Sequence, residues 1–228
     1  PAATALFNGP TSLAVAPNGT IYVADPGNNA IRAIAQNADG SPGSVFTIAS
    51  ATQGLSQPFT VRFDSHGNLI FVELTAGNLK HFDLGTSVVT LIRANTCGAG
   101  WTWLDVDKEG ALGPVDDSFV PCDVGGNNST MWRISADGTR MANVTFNAGH
   151  YPWAVAHKSN EGQIITAGFG DSAPHLYRLP IASDPVYGNY TANEIWPILN
   201  RIGPWFDPWG TIPEFPMGAR PAQSALRN

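Results

Sequence analysis

Charge of either sign is scarce in this sequence, and long hydrophobic runs are missing. Only 13% of its 228 residues are charged, the formal net charge is -6 at pH 7, and the twelve basic residues never form a run. Nucleic acids and anionic membranes are bound by basic patches, so we expect neither partner. No apolar stretch approaches the ~20 residues that a membrane-spanning helix needs, so no membrane span is predicted.

Cysteine is almost absent, since the chain has only Cys97 and Cys122. Two cysteines cannot form a structural zinc site by themselves, and no histidine pair with zinc-finger spacing accompanies them. In an extracellular protein they would form a disulfide, whereas in a cytosolic protein they would remain two buried thiols.

Sequons for N-linked glycosylation are the clearest indication of location. About two would be expected by chance, and the sequence has five. Together with the scarcity of lysine and the two cysteines, this modest excess favours an extracellular, secreted protein that carries N-linked glycans. The acceptor positions are Asn18, Asn127, Asn128, Asn143 and Asn189.

Turn-forming residues are abundant and recur with a period. The chain has 24 Gly and 18 Pro, and four segments align on a turn glycine: APNGTIYVAD (16–25), DSHGNLIFVE (64–73), DKEGALGPVD (107–116) and SNEGQIITAG (159–168). A basic residue between apolar residues follows each segment, namely Arg32, Lys80, Arg133 and Arg178. A period of roughly 40–50 residues marks a repeat architecture.

Each copy has the pattern of a four-stranded antiparallel meander, the unit of a β-propeller blade. Asn18 and Gly19 lie between the strand-like LAVA and IYVA, and for this hairpin we predict a type I′ turn. The sequence therefore predicts an all-β propeller. Its blades are expected at about residues 9–51, 57–94, 100–147 and 151–180, with residues 1–8 as a possible ring-closing strand in a domain that spans 1–180.

The first copy carries a specific resemblance. GPTSLAVAPNGTIYVADPGNNAIRAI, residues 9–34, resembles an NHL repeat, the blade found in many six-bladed propellers. The resemblance covers about residues 9–180 and is strongest in this first copy. Families with this blade commonly have six copies, and four are recognisable here.

The C-terminal arm, residues 181–228, departs from the repeat. Prolines are interleaved with large aromatic residues, and each proline removes a backbone donor, so neither a central strand nor a helix is expected. Such an arm either packs over its own propeller or reaches a neighbouring subunit, and we expect self-association through it. Its candidate contact residues are Trp196, Trp205, Phe206, Trp209 and Phe215.

Carboxylates form the only candidate metal site. Asp105 and Asp107 lie on the same side of a strand, since side chains alternate with a period of two. Oxygens from these two residues, with others nearby, could bind Ca²⁺. The others are Asp64, Glu73, Asp116 and Asp117. Gluconolactonase-like propellers, which have a similar fold, hold a catalytic divalent metal in the central channel.

Three functions follow from these patterns. The favoured one is a secreted, glycosylated propeller that acts as a structural or binding module, without catalytic residues or a required cofactor. Its partners would be a second copy, a glycan or another protein. The alternatives are a metal-dependent hydrolase or lactonase, and a carbohydrate-binding propeller that uses Trp101, Trp103 and Trp153 as stacking faces.

Overall fold

The computed structural model describes residues 6–97, 103–110, 114–122, 130–145, 151–158, 163–170, 173–179, 190–191 and 193–196. Within these residues the chain forms four sheets, three of which are antiparallel throughout and one of which also contains a short parallel pair. The all-β propeller architecture predicted from the sequence is confirmed, and each sheet is one blade. No helix among the described residues is long and apolar enough to cross a membrane.

The strand bounds are as follows. Blade 1 contains β1 (Ser12–Val15), β2 (Ile21–Asp25), β3 (Ala30–Gln36) and β4 (Pro42–Ala49). Blade 2 contains β5 (Pro58–Phe63), β6 (Leu69–Glu73), β7 (Leu79–Asp83) and β8 (Val88–Arg93). Blade 3 contains β9 (Asp105–Asp107), β10 (Asp117–Cys122), β11 (Thr130–Ile134) and β12 (Met141–Thr145). Blade 4 contains β13 (Tyr151–Lys158), β14 (Gln163–Gly170), β15 (Ala173–Leu179) and β17 (Asn193–Trp196), while β16 (Tyr190–Thr191) lies between β15 and β17 in sequence.

Two strands come from the segment that the sequence assigned to the C-terminal arm. β17 pairs with β15 as the fourth strand of blade 4, with Trp196 opposite Leu176. β16 pairs in parallel with β12 and adds a fifth strand to blade 3. Residues 193–196 therefore form the outer strand of the last blade, a role for which the sequence suggested residues 1–8. Asn8, from that first segment, bonds instead to blade 1, since Gly27 N–H donates to its carbonyl.

The hairpin turn at Asn18-Gly19 joins β1 to β2 as predicted, but the turn type is different. Gly19 has a φ of 82° whereas Asn18 does not have a positive φ. Gly19 N–H donates to the Ala16 carbonyl, and Ala16 N–H donates to the Thr20 carbonyl. This is a type I turn followed by a left-handed glycine. Pro17 fits this turn, because its ring fixes a negative φ at the first central position.

The core lies between consecutive blades. We call the side of a blade that faces the preceding blade its front face. The front face of blade 2 is buried against blade 1 through Val61, Leu69, Phe71 and Phe82. The front face of blade 3 is buried against blade 2 through Leu104, Val106, Val120 and Ile134. Large apolar side chains at these alternating positions are what hold successive blades together.

Candidate functional site

The innermost strands of blades 1 to 3 bring three polar side chains into a row. Arg62 on β5 donates from Nη1 to the Ser12 hydroxyl of β1 at 3.3 Å and to the Val61 carbonyl at 2.8 Å. Its Nε lies 3.6 Å from Asp105 Oδ1 on β9. The row therefore links three blades through one guanidinium.

An apolar groove of about 540 Å³ lies beside this row. Phe7, Pro10, Leu13, Val23, Ile34 and Trp103 contribute to its lining. The Trp103 ring meets Phe59 edge-on, with their centroids 6.0 Å apart. Of the two other tryptophans considered for carbohydrate stacking, Trp101 lies outside the described residues and Trp153 lies on β13.

Asp105 and Asp107 differ in their surroundings although both lie on β9. The Asp105 side chain is 18% exposed and faces the Arg62 guanidinium. Asp107 is fully buried and lies opposite Asp117 in the ladder between β9 and β10. Asp117 in turn accepts from Arg133 Nε at 2.7 Å. The Arg62–Asp105 ion pair thus connects β5 to β9, and the Arg133–Asp117 ion pair connects β11 to β10.

A different trio has the closest spacing for a metal ion among the described residues. Potential ligand atoms of Asp64, His66 and Asp116 lie within 4.8 Å of one another. However, Asp64 Oδ1 accepts the backbone N–H groups of His66 and Asn68, at 2.9 and 2.7 Å. Both oxygens of Asp116 accept from Ser65, at 2.6 Å each. These bonds cap the β5–β6 turn and attach blade 3 to blade 2.

In each of the first two blades, a buried carboxylate connects separate segments of the same blade. Asp25, at the end of β2, accepts the Asn8 backbone N–H at 2.7 Å and lies 3.3 Å from Arg32 Nε. Glu73, at the end of β6, accepts the Ser56 backbone N–H and Lys80 Nζ, both at 2.7 Å. In each of these two blades, one carboxylate at the end of the second strand thus binds both the segment that precedes the innermost strand and a basic residue of the third strand. We call this contact the tie of the blade.

In blade 3 a disulfide takes the place of this carboxylate tie. Cys122 ends β10, as Glu73 ends β6, and it is bonded to Cys97 in the segment that leads into β9. The cross-strand pairs show which residues of the third strand are equivalent. Lys80 lies opposite Phe71, two residues before Glu73, and Trp132 lies opposite Val120, two residues before Cys122. In blade 3, Trp132 therefore occupies the position of Arg32 and Lys80, and Arg133 is the next residue along the strand.

Exposed turn aspartates are held ionised by hydrogen bonds. The Ser135 hydroxyl and the backbone and hydroxyl of Thr139 donate to Asp137 and lower its pKa from 3.8 to about 2. Hydrogen bonds from Ser41 lower the pKa of Asp39, and the Thr86 backbone N–H lowers that of Asp83. These carboxylates stabilise the turns they occupy.

The predicted glycosylation acceptors fall into different environments. Asn18 is exposed at a hairpin tip, and its Oδ1 accepts the Thr20 backbone N–H at 3.0 Å. Asn143 lies on β12, where it bonds to the Thr130 hydroxyl, and β12 has β16 on its outer side. The other three acceptors lie outside the described residues, and so do four of the predicted arm residues. These are Asn127, Asn128 and Asn189, and Trp205, Phe206, Trp209 and Phe215.

Several known proteins are similar to this chain, and three of them illustrate the range of the similarity. Human teneurin-1 is 29% identical over 196 residues, which are 75% of this chain and 6% of teneurin-1, so this chain spans a small part of that relative. Among solved structures, a chain of a nidogen/laminin complex superposes with a TM-score of 0.59 at 14% identity, over 77% of this chain and 62% of that one. Virginiamycin B lyase from Staphylococcus aureus superposes with a TM-score of 0.52 at 17% identity, over 76% and 56%.

Residues 7–34 match the family model of the NHL repeat. The matched segment comprises the residues around β1, β2 and the start of β3, including the Asp25 tie. The resemblance stated from the sequence is confirmed: residues 7–34 match an NHL repeat and lie in the first blade of a β-propeller fold.

Proposed function

We propose that this chain is an extracellular, N-glycosylated propeller that binds protein partners and self-associates through its C-terminal arm. One observation carries the proposal: charged side chains in the described blades are used to hold the fold together. Arg62 joins three innermost strands, while Asp25 and Glu73 tie lead-in segments to their blades. Such an arrangement supports a rigid scaffold for binding.

The disulfide supports the extracellular location. Cys97 and Cys122 occupy the structural position that carboxylates occupy in blades 1 and 2. Disulfides persist in oxidising compartments, and a chain folded in the cytosol would have to stabilise blade 3 without this bond. The similarity to teneurin-1 and to a chain from a nidogen/laminin complex supports protein binding as the kind of activity.

The Asn18 sequon gives a direct test of the glycosylated, secreted state. Its side chain stands at an exposed turn, and its amide nitrogen is the atom that would carry the glycan. Chain secreted from a eukaryotic host should carry glycan mass, and Asn18→Gln should remove one glycan. Asn37→Gln is the matched control, since Asn37 begins a similar turn and is not in a sequon. An intact mass equal to the bare sequence mass would exclude glycosylation.

Native mass spectrometry distinguishes the binding-module hypothesis from the hypothesis of a metal-dependent hydrolase. The module predicts a glycan-bearing oligomer without a stoichiometric metal ion, and Asp105→Ala should change neither metal content nor hydrolysis of lactones and esters. A monomer with one bound Ca²⁺ that is lost in Asp105→Ala would favour the hydrolase. Asp105 is the residue to change because it is partly exposed on the innermost strand of blade 3.

A further inference from the structure

Two of the predicted glycosylation acceptors lie in opposite kinds of surroundings. Asn18 is exposed at the hairpin tip between β1 and β2, where a bulky group can extend into solvent. Asn143 is half-buried on β12, which is paired with β11 on one side and with β16 on the other. Acceptor sequons are typical of surface loops, so a sequon on a strand that is paired on both sides is unusual.

Asn143 lies on the front face of blade 3, the side that packs on blade 2. Residues that pair across antiparallel strands share a face, and Asn143 pairs with Trp132, which pairs with Val120. Val120 is fully buried, and Trp132 packs on the same core cluster, which also contains Ile70 of blade 2. The Asn143 side chain is therefore directed toward the junction of the two blades.

Links to blade 2 lie at both ends of this face. At one end, the Gly138 carbonyl in the turn between β11 and β12 accepts a hydrogen bond from Arg93 Nη1 of blade 2 at 3.1 Å. At the other end, Cys122 of β10 is bonded to Cys97, which lies in the segment between blade 2 and β9. Asn143 lies between these two links, so the junction around it is held at either side.

N-linked glycosylation would add a large group at this junction. In that reaction the Asn Nδ2 displaces the diphosphate of a lipid-linked oligosaccharide, forms a bond to the anomeric carbon and gives up one proton. In the folded chain Asn143 Oδ1 accepts from the Thr130 hydroxyl, and a glycan on Nδ2 would have to fit between blades 2 and 3. At Asn18, by contrast, Oδ1 accepts the Thr20 backbone N–H and the exposed turn leaves room for a glycan.

We infer that a glycan at Asn143 and the Cys97–Cys122 disulfide exclude one another, so that the disulfide selects which acceptors are used. The inference rests on the proposed N-glycosylation and distinguishes its acceptors. Asn18 accepts a glycan whether or not blade 3 has closed on blade 2. Asn143 accepts one only in a chain whose blade 3 is open, and a chain that forms the disulfide first keeps Asn143 unmodified.

The test uses the full chain expressed in a eukaryotic host and measures glycan occupancy at Asn18 and Asn143 separately, by mass spectrometry of peptides. Cys97→Ser/Cys122→Ser removes the disulfide. Glu73→Gln is the matched control, because it removes the tie of blade 2 and leaves the disulfide in place. Chains retained in the cells are collected with the secreted ones, so a variant that is secreted poorly still gives its occupancy.

Asn18 should carry a glycan in all three chains, while Asn143 should be unmodified in wild type and in Glu73→Gln. The cysteine variant should show a several-fold higher occupancy at Asn143, because its blade 3 is no longer linked covalently to the segment that follows blade 2. Free thiols are labelled before digestion. Any wild-type chain with a glycan at Asn143 should then have Cys97 and Cys122 both labelled.

The negative outcomes separate the two proposals. If wild-type chains carry a glycan at Asn143 while their cysteines stay unlabelled, the exclusion is wrong and glycosylation at Asn18 stands. The same holds if Asn143 stays unmodified in the cysteine variant, or if Glu73→Gln raises its occupancy equally. If Asn18 and Asn143 are unmodified in every chain, the proposed glycosylation is wrong and the inference falls with it.

Discussion

Glu73→Gln tests whether a single buried carboxylate holds blade 2 together. The Glu73 side chain is fully buried and accepts three hydrogen bonds: from Ser56 N–H at 2.7 Å, Lys80 Nζ at 2.7 Å and Asn78 Nδ2 at 3.1 Å. Glutamine has the same shape, but it lacks the negative charge and puts an NH₂ group where an acceptor is needed. The change therefore isolates electrostatics from packing.

The expected loss follows from the surroundings of Lys80. Removing one partner of a buried ion pair costs about 3–5 kcal/mol. Lys80 keeps a second acceptor, the Gly54 carbonyl at 2.7 Å, and its side chain is 14% exposed. Both features reduce the penalty, so we expect the free energy of unfolding to fall by about 3 kcal/mol.

Urea unfolding gives the magnitude, and hydrogen exchange gives the location. The Ser56 amide should lose protection in Glu73→Gln, because its acceptor oxygen is weakened. Glu109→Gln makes the same chemical change at an exposed turn position and should alter stability by less than about 0.5 kcal/mol. A loss below about 1 kcal/mol in Glu73→Gln, with Ser56 still protected, would refute the proposed role of the carboxylate.

Three further predictions concern the other ties and turns. Replacing Cys97 and Cys122 with serine should cost about 3.5 kcal/mol by the loop-entropy relation for a separation of 25 residues, visible as a lower Tm, and an unchanged Tm would contradict it. Gly138→Ala should destabilise by several-fold more than Gly67→Ala in urea unfolding, since both have positive φ but only at Gly138 would a Cβ overlap a backbone carbonyl of blade 2. Because the pKa of Asp137 is lowered to about 2, its stabilising effect is complete above pH ~4 and is lost as pH falls toward 2. Asp137→Asn should remove that part of the acid dependence, and a carboxyl titration by NMR with a midpoint near 3.8 would contradict the assignment.

The blade repeat could be predicted from the sequence because its signals are local. A turn glycine, a short apolar run and the alternation of apolar residues are enough to identify hairpins such as that at Gly19. The predicted turn type was wrong because the central residues of the turn are Pro17 and Asn18, and of the pair considered only Gly19 has a positive φ.

The third copy shows where local signals fail. The loop between β9 and β10 spans residues 108–116, which is longer than the loops of blades 1 and 2, so β10 begins later than alignment on the turn glycine predicts. A slip of one residue moves a side chain to the other face of a sheet. Arg133 lies between apolar residues as Arg32 does, but it is on the opposite face of its strand and pairs with Asp117. Because β10 begins later than predicted, Cys122 was not recognised as equivalent to Glu73.

The ties themselves could not be predicted because their partners are distant in sequence. Asn8 and Asp25 are joined through a backbone N–H, for which no residue type is required. Likewise, Arg62 is an ordinary strand residue in the sequence, and only the side-by-side arrangement of β1, β5 and β9 gives it partners.

The ties of the three blades differ in their sensitivity to acid and to reducing agents. Strong acid weakens the ion pairs of blades 1 and 2 and leaves the disulfide intact. A thiol has the opposite effect, because it reduces the disulfide of blade 3 and leaves the carboxylate contacts intact. Acid and thiols therefore act on different blades, and neither alone removes the links of all three.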